Sequence, residues 1–140
     1  MKRVLWAAVL SLGLILGMAG AADAVANTRI SIPKSNYGVV GDGQIAWLGK
    51  HANSGFRWSF KFRSSDEGAG AYISAQGVRK KKPDPDAFRL TTNVFDSTTT
   101  LKGRKDGGYR VSVQGYRFRL CQDVPKKRDK CGKWSKVYYH

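Results

Sequence analysis

The sequence has 140 residues and a formal net charge of +15 at neutral pH, from 25 lysines and arginines against 10 acidic residues. This length fits one ordinary domain, and so large a positive excess favours anionic partners. Two cysteines without a nearby histidine or a further cysteine cannot complete a closed zinc centre, which needs four such ligands close together.

The first 26 residues are predicted to be a cleaved signal peptide. Two basic residues follow the initial methionine, residues 4–18 are predominantly apolar, and small residues continue to Ala26. Signal peptidases recognise small residues in this arrangement, and both Ala24 and Ala26 complete the pattern. We expect cleavage after Ala26, with Ala24 as the alternative. Because a spanning helix needs about 20 predominantly apolar residues, no stable membrane insertion is expected after cleavage.

The mature chain, residues 27–140, is predicted to be one basic, secreted domain. It carries 23 basic and nine acidic side chains, a net charge of +14. Residues 77–140 contain 17 of these basic and six of these acidic side chains, so +11 of the charge lies there. Such a charge attracts polyanions, but it does not distinguish nucleic acid from an anionic cell-wall polymer or a membrane surface.

Short runs of β-branched and aromatic residues between turn-forming residues predict strands throughout the mature chain. The clearest strand is residues 56–63, where aromatic side chains alternate with polar, mostly basic ones. This pattern predicts one buried face and one solvated face. The buried set is Phe56, Trp58, Phe60 and Phe62, and the solvated set is Arg57, Ser59, Lys61 and Arg63.

A first hairpin is predicted where residues 37–40 and 44–48 flank the Gly-Asp-Gly triplet 41–43, because glycine adopts the positive φ of tight turns. Residues 78–86 combine four consecutive basic residues with two prolines and are predicted to form an exposed loop. Further strands are predicted at residues 28–32, 71–75 and 88–95.

A second hairpin is predicted between residues 98–101 and 109–113. The apolar positions then change phase: Tyr109, Val111 and Val113 are odd, whereas Tyr116, Phe118 and Leu120 are even. A strand cannot bury both sets on one face, because its side-chain period is two. A β-bulge or bend is therefore predicted at Gly115.

The two cysteines, Cys121 and Cys131, are predicted to form a disulfide, because an exported chain meets an oxidising environment. Cys121 falls in phase with Arg117 and Arg119, away from the core, and residues 131–139 can return as the partner strand. With about eight short strands, the predicted fold is all-β, a small single-domain sandwich or barrel with one C-terminal disulfide. The aromatic residues are expected to pack its core.

Neither catalytic residues nor a cofactor nor a metal site is predicted. The histidines are His51 and the terminal His140, and the sole glutamate is Glu67. A secreted ribonuclease would pair a carboxylate with a histidine and an arginine, and Glu67 and His140 are the candidates for that pair. No surrounding motif supports them, so the sequence favours a non-enzymatic role and leaves an enzyme as the less favoured hypothesis.

Two basic loops and two outward arginines are predicted to bind a polyanion. If residues 56–63 and the last strands share a sheet, Arg57, Arg117, Arg119 and their neighbours, Arg110 included, form rows suited to phosphate or carboxylate groups. The alternative is that these charges only keep the protein soluble. The predicted binding residues are Arg79, Lys80, Lys81, Lys82, Arg117, Arg119, Lys126, Lys127, Arg128 and Lys130.

The C-terminal segment carries a resemblance to known proteins. The run Tyr-Arg-Phe-Arg-Leu-Cys at 116–121, followed by Cys-Gly-Lys-Trp-Ser at 131–135, resembles the ending of small secreted β-sandwich proteins of high-GC Gram-positive bacteria. The segment that begins with Gly-Tyr-Arg-Val-Ser-Val at 108–113 is also similar to the last two strands of immunoglobulin-like and fibronectin-type-III-like sandwiches. Both resemblances imply a secreted β-sandwich and no particular activity.

The functional prediction is an exported, non-enzymatic basic β-module that binds anionic polymers or the cell envelope, its partner being a cell-wall polymer or a nucleic acid. The alternative is a secreted effector, either a cationic antimicrobial protein or a small nuclease-like enzyme.

Overall fold

All paired strands are antiparallel in the computed structural model, which describes residues 27–66, 68–107 and 112–140. The strands are β1 (Thr28–Arg29), β2 (Gly38–Trp47), β3 (Gly55–Ser64), β4 (Ala71–Val78), β5 (Phe88–Arg89), β6 (Thr99–Asp106), β7 (Gly115–Gln122), β8 (Lys130–Cys131) and β9 (Tyr138–Tyr139). Sheet A has the order β1-β2-β3-β6; sheet B has the order β5-β4-β7, and both β8 and β9 pair with the other edge of β7. The predicted all-β fold is confirmed.

The alternation predicted for residues 56–63 is confirmed in β3, which pairs with β2 on one side and β6 on the other. Phe56, Phe60 and Phe62 are fully buried. Trp58 is only half-buried, and its ring lies over Gly103 of β6, where a Cβ atom would be 2.4 Å from the indole. The opposite face of β3 is mostly exposed, so its basic residues reach solvent.

The predicted first hairpin is wrong, because the triplet 41–43 lies inside β2. The register of β2 against β3 passes from Val40↔Phe62 to Asp42↔Lys61, which leaves Gly41 without a partner as a β-bulge. β3 is long enough to pair with both halves of β2, so the chain needs no turn there. The connection to β3 instead uses residues 48–54, including the short 3-10 helix Ala52–Ser54.

The strand predicted at residues 88–95 is only partly formed. β5 contains its first two residues, and Val94 forms an isolated bridge with Ala71. Between them, Thr91 Oγ1 accepts a hydrogen bond from the backbone N–H of Ile73 at 3.0 Å. The carbonyl of Ile73 still accepts a hydrogen bond from the backbone N–H of Leu90 at 2.8 Å, so the Thr91 side chain replaces only the backbone acceptor for the Ile73 N–H. The strand predicted at residues 71–75 is confirmed as β4 and extends three residues further.

The change of phase predicted around Gly115 is confirmed, because Val113 and Tyr116 are both buried on either side of it and β7 begins at Gly115. The second predicted hairpin falls partly outside the described residues, since Tyr109, Arg110 and Val111 are not among them. Its first strand, β6, continues to Asp106 and pairs with β3.

The Cys121–Cys131 disulfide is confirmed, with an S–S distance of 2.01 Å and a Cα–Cα distance of 4.0 Å. Beyond Cys131 the chain returns along β7 as predicted: the N–H of Ser135 donates to the carbonyl of Phe118 at 2.8 Å, and β9 pairs with the start of β7. Disulfides suggest an oxidising, extracellular environment.

The core lies between the two sheets and is largely aromatic. Ring centroids are 4.9 Å apart for Phe56 and Tyr116 and 5.6 Å apart for Phe60 and Phe118, and each pair joins sheet A to sheet B. Inclined ring pairs at these distances are favourable beyond their apolar area. Among the described residues, no helix is long and apolar enough to cross a membrane.

Candidate polyanion-binding site

The arginines predicted to line one strand face are divided between the two sheets. β3 belongs to sheet A and β7 to sheet B, so Arg57 lies on one outer surface of the sandwich while Arg117 and Arg119 lie on the other. The hypothesis of a single sheet with rows of arginines is therefore wrong. Sheet membership depends on long-range pairing, and the local alternation of β3 and β7 carries no signal for it. Arg110 lies outside the described residues.

The two predicted basic loops lie at opposite ends of sheet B. Residues 79–82 follow β4 at the end where Val78 pairs with Gly115, and residues 126–130 follow β7 beyond the end where Ala71 pairs with Gln122. These ends are seven residues apart along the strands, or about 23 Å. The loops thus flank the outer face of sheet B rather than converge on one point.

Arg117 and Arg119 lie between the loops on this outer face, and Trp134 stacks on both. The distance from the guanidinium carbon to the indole centroid is 5.0 Å for Arg117 and 4.1 Å for Arg119. Trp134 comes from the segment that returns along β7 after the disulfide. We call the outer face with these three residues and the two basic loops the basic track.

Arg117 is already satisfied within the protein. Its Nε and Nη2 donate to Oε1 of Gln76 at 3.0 and 2.7 Å, and Nη2 also reaches Asp84 Oδ2 at 3.4 Å. Asp84 accepts a further hydrogen bond from the backbone N–H of Arg79 at 2.9 Å. Asp84 therefore neutralises part of the charge here and ties the 79–82 loop to the face of the sheet.

Arg119 is not satisfied in the same way. It takes part in no ion pair among the described residues, and its buried Nε has no hydrogen-bond partner there. Partial burial lowers the pKa of its guanidinium, and the positive charges of Arg117 and Arg128 act in the same direction. A charged, desolvated donor of this kind lowers the stability of the folded protein unless an acceptor is supplied.

The 126–130 loop is held against sheet B by Tyr72 of β4. The hydroxyl of Tyr72 donates to Asp129 Oδ2 at 2.6 Å, and the guanidinium carbon of Arg89 lies 3.7 Å from the Tyr72 ring centroid. Burial, together with the hydrogen bond and the negative charge of Asp129, raises the pKa of Tyr72 to about 12. Cys121 lies on this outer face, as predicted, yet it is fully buried.

Arg89 is the third arginine of this face and is compensated by Asp123. Its Nη2 lies 2.8 Å from Asp123 Oδ2, which also accepts a hydrogen bond from Asn93 at 2.9 Å. These donors hold the pKa of Asp123 below its usual value. Of the three arginines, Arg119 alone lacks an acceptor among the described residues.

Of the two residues considered for a ribonuclease, only His140 lies among the described residues. His140 packs its ring 5.3 Å from that of Trp47 and contacts the carbonyl of Gly49, while His51 is exposed in the β2–β3 connection. Glu67 lies outside the described residues. The basic track offers a guanidinium stacked on an indole beside exposed lysines, and these groups can bind and orient an oxyanion.

Two aromatic residues on the outer face of sheet B were not predicted from the sequence. These are Tyr72 and Trp134, and Trp134 was expected to pack in the core. Sequence reasoning also missed Lys102 and Arg104, which the structure places on the outer face of sheet A. The alternation of exposed Lys102 and Arg104 with half-buried Leu101 and Gly103 was a usable signal for the two basic residues. No local pattern could have paired Trp134 with Arg119.

Comparison with known proteins gives no match to any protein-family model. Neither the curated proteins nor the solved structures give one.

Proposed function

We propose that this protein is an exported, non-enzymatic module that binds a phosphate-bearing polymer along the basic track. The observation that carries the proposal is Arg119, a partly buried guanidinium that stacks on Trp134 and takes part in no ion pair among the described residues. A phosphate oxygen is the natural partner for such a group, because guanidinium and phosphate match in charge and bidentate geometry.

The two basic loops extend this single contact to a polymer. The side chains of Lys80, Lys81, Lys126 and Lys127 are exposed, two at each end of the track. B-DNA places a phosphate about every 3.4 Å along each strand, so a track of about 23 Å lies beside roughly seven phosphates of one strand. Phosphate-containing wall polymers present the same chemistry without bases.

Export is part of this proposal, and three observations support it. The first 26 residues have the composition of a signal peptide. The Cys121–Cys131 disulfide suits an oxidising compartment. The C-terminal segment resembles that of small secreted β-sandwich proteins.

Binding of labelled double-stranded DNA and of labelled poly(glycerol phosphate), followed by fluorescence anisotropy, tests the proposal. Arg119→Gln should weaken binding by about ten- to hundredfold, since a hydrogen bond to a charged group contributes about 1.5–3 kcal/mol. The matched control is Lys50→Gln, which removes one charge from an exposed residue in the β2–β3 connection.

Tight binding of both probes indicates recognition of phosphates alone, and a strong preference for one identifies the source of the polymer. Equal losses for Arg119→Gln and Lys50→Gln would refute the site, because only net charge would then matter. Degradation of the DNA, or of an RNA probe, would support the nuclease-like effector instead.

A further inference from the structure

The outer face of sheet A is a second cationic surface, on the side of the sandwich opposite to the basic track. Its side chains come from the outward positions of β2, β3 and β6. Its basic members are Arg57, Lys61, Arg63, Lys102 and Arg104. Since the sheets are packed through the aromatic core, this surface and the basic track cannot contact the same stretch of a straight polymer.

Two arginines face each other directly on this surface. Arg57 of β3 is the register partner of Arg104 of β6, so their side chains leave the sheet side by side. Like charges directly opposite in a sheet are destabilising. Asp106 binds Arg104 at 2.6 Å, whereas Arg57 takes part in no ion pair among the described residues. The protein retains a repulsive pair that an external anion would relieve.

A groove of about 680 Å³ lies next to this pair. Its floor includes the small side chains of Ala46 and Ser59, and Gln44, Arg57 and Lys102 surround them. Small residues between longer polar ones give the flat sheet a depression in which an extended chain can lie. Asn27 also lines the groove, which therefore supplies two cationic donors and two neutral amides for a second anionic segment.

We propose that the protein binds two polyanion segments at once, one on the basic track and one in the groove of sheet A, and thereby bridges them. The proposal rests on the proposed function for the basic track and adds a second, opposite site. Two packed sheets are about 10 Å apart, and the side chains on both outer faces add to that separation. The Debye length is about 8 Å at physiological ionic strength, so repulsion between the two bound segments is largely screened.

Bridging is tested with two populations of short double-stranded DNA, one carrying a donor and one an acceptor fluorophore. Substoichiometric wild-type protein should bring them together and produce energy transfer, and a large excess of protein should abolish the transfer because each duplex then binds its own molecule. Arg57→Gln/Lys102→Gln should lose the transfer while keeping most of its affinity for a single duplex. Lys34→Gln/Lys50→Gln removes the same charge from exposed connecting segments and should leave the transfer unchanged.

The outcomes separate the two proposals. If wild-type protein binds one duplex through Arg119 but produces no transfer, bridging is refuted and the proposed function stands. Transfer that survives Arg57→Gln/Lys102→Gln also refutes the sheet A site. If Arg119→Gln leaves single-duplex binding intact and Arg57→Gln/Lys102→Gln abolishes it, the basic track is not the primary site and both proposals fail. Sedimentation of the free protein as a monomer excludes bridging by a protein dimer, and a dimer would refute the two-face mechanism.

Discussion

The guanidinium carbon of Arg119 lies 4.1 Å from the ring centroid of Trp134. These residues belong to two segments of sheet B that the Cys121–Cys131 bridge holds together. Arg119 is two residues before one cysteine, and Trp134 is three residues after the other. The disulfide therefore fixes the segment that carries the indole against the strand that carries the arginine. The bridge thus also fixes the orientation of the indole beside the guanidinium that we propose binds phosphate.

Trp134→Ala is expected to weaken binding of the DNA probe about two- to fivefold, because it removes a cation–π contact of about 0.5–1 kcal/mol at a partly exposed site. Trp134→Phe keeps an aromatic face beneath Arg119 and should bind nearly as well as the wild type. Anisotropy titration measures both. If the alanine variant binds with wild-type affinity, the stacking does not orient Arg119 for the polymer.

Replacement of both Cys121 and Cys131 by alanine should lower the free energy of unfolding by about 2.8 kcal/mol, the chain-entropy value for a closed loop of about 11 residues. Alanine is chosen because Cys121 is fully buried and serine would add an unpaired hydroxyl there. Urea denaturation measures the change. Thiol labelling of the unreduced wild type should give no signal, and labelling of both cysteines would contradict the prediction.

Stability at alkaline pH should reflect Tyr72. Its pKa is raised to about 12 in the folded protein by burial and by Asp129, against about 10 in the unfolded chain. The neutral phenol is thus favoured by folding, so its contribution is complete below pH 10 and is lost as the pH rises from about 10 to 12. Burial also raises the pKa of Tyr116, so tyrosinate absorbance should show a late transition in the wild type whose amplitude is reduced in Tyr72→Phe. A variant with the same late transition would show that another tyrosine causes it.

The fold was predictable where one strand carries its own pattern, and less so where the outcome depends on distant partners. The alternation at residues 56–63 and the phase change at Gly115 both follow from the side-chain period of a strand, and both are confirmed. The Gly-Asp-Gly triplet 41–43 has turn chemistry that also suits a bulge, and only the length of β3 decides between them. The partition of β3 and β7 into different sheets has no local signal.

The candidate site was predictable in its composition but not in its geometry. Residues 79–82 and 126–130 were visible as charge clusters, yet their positions at opposite ends of one sheet depend on the β4–β7 register. The importance of Arg119 depends on what surrounds it: Gln76 satisfies Arg117, and Asp123 satisfies Arg89. Such differences between neighbouring arginines arise only when the chain is folded.

The exported protein should begin at Asn27, or at Val25 if Ala24 is the cleavage site. Both alanines complete the small-residue pattern that signal peptidases recognise. Intact mass and N-terminal sequencing of protein secreted by the producing cell distinguish the two positions. A mass that retains Met1 through Ala22 would contradict the export prediction.

Binding of a long polyanion should weaken steeply with salt, because each neutralised phosphate releases counterions. For B-DNA the slope of log affinity against log salt is about −0.9 per contacted phosphate, so four to six contacts give about −4 to −5. Replacing either Lys80 and Lys81 or Lys126 and Lys127 by Gln should flatten the slope by about one to two. In the quadruple variant, which combines both pairs, the two changes in slope should add because the pairs lie about 23 Å apart.

The distance between the two lysine pairs makes this prediction depend on the length of the probe. An oligophosphate too short to span about 23 Å can contact only one end of the track at a time. Its affinity should therefore depend on one lysine pair or the other, and the losses of affinity from the two pairs should not add. Thermal stability should be nearly unchanged in all these variants, since exposed charges contribute about 0–1 kcal/mol to folding. If the quadruple variant binds DNA and poly(glycerol phosphate) with the wild-type affinity and slope, the basic loops are not part of the site. Their charge then serves solubility alone, because polymer binding would not depend on it.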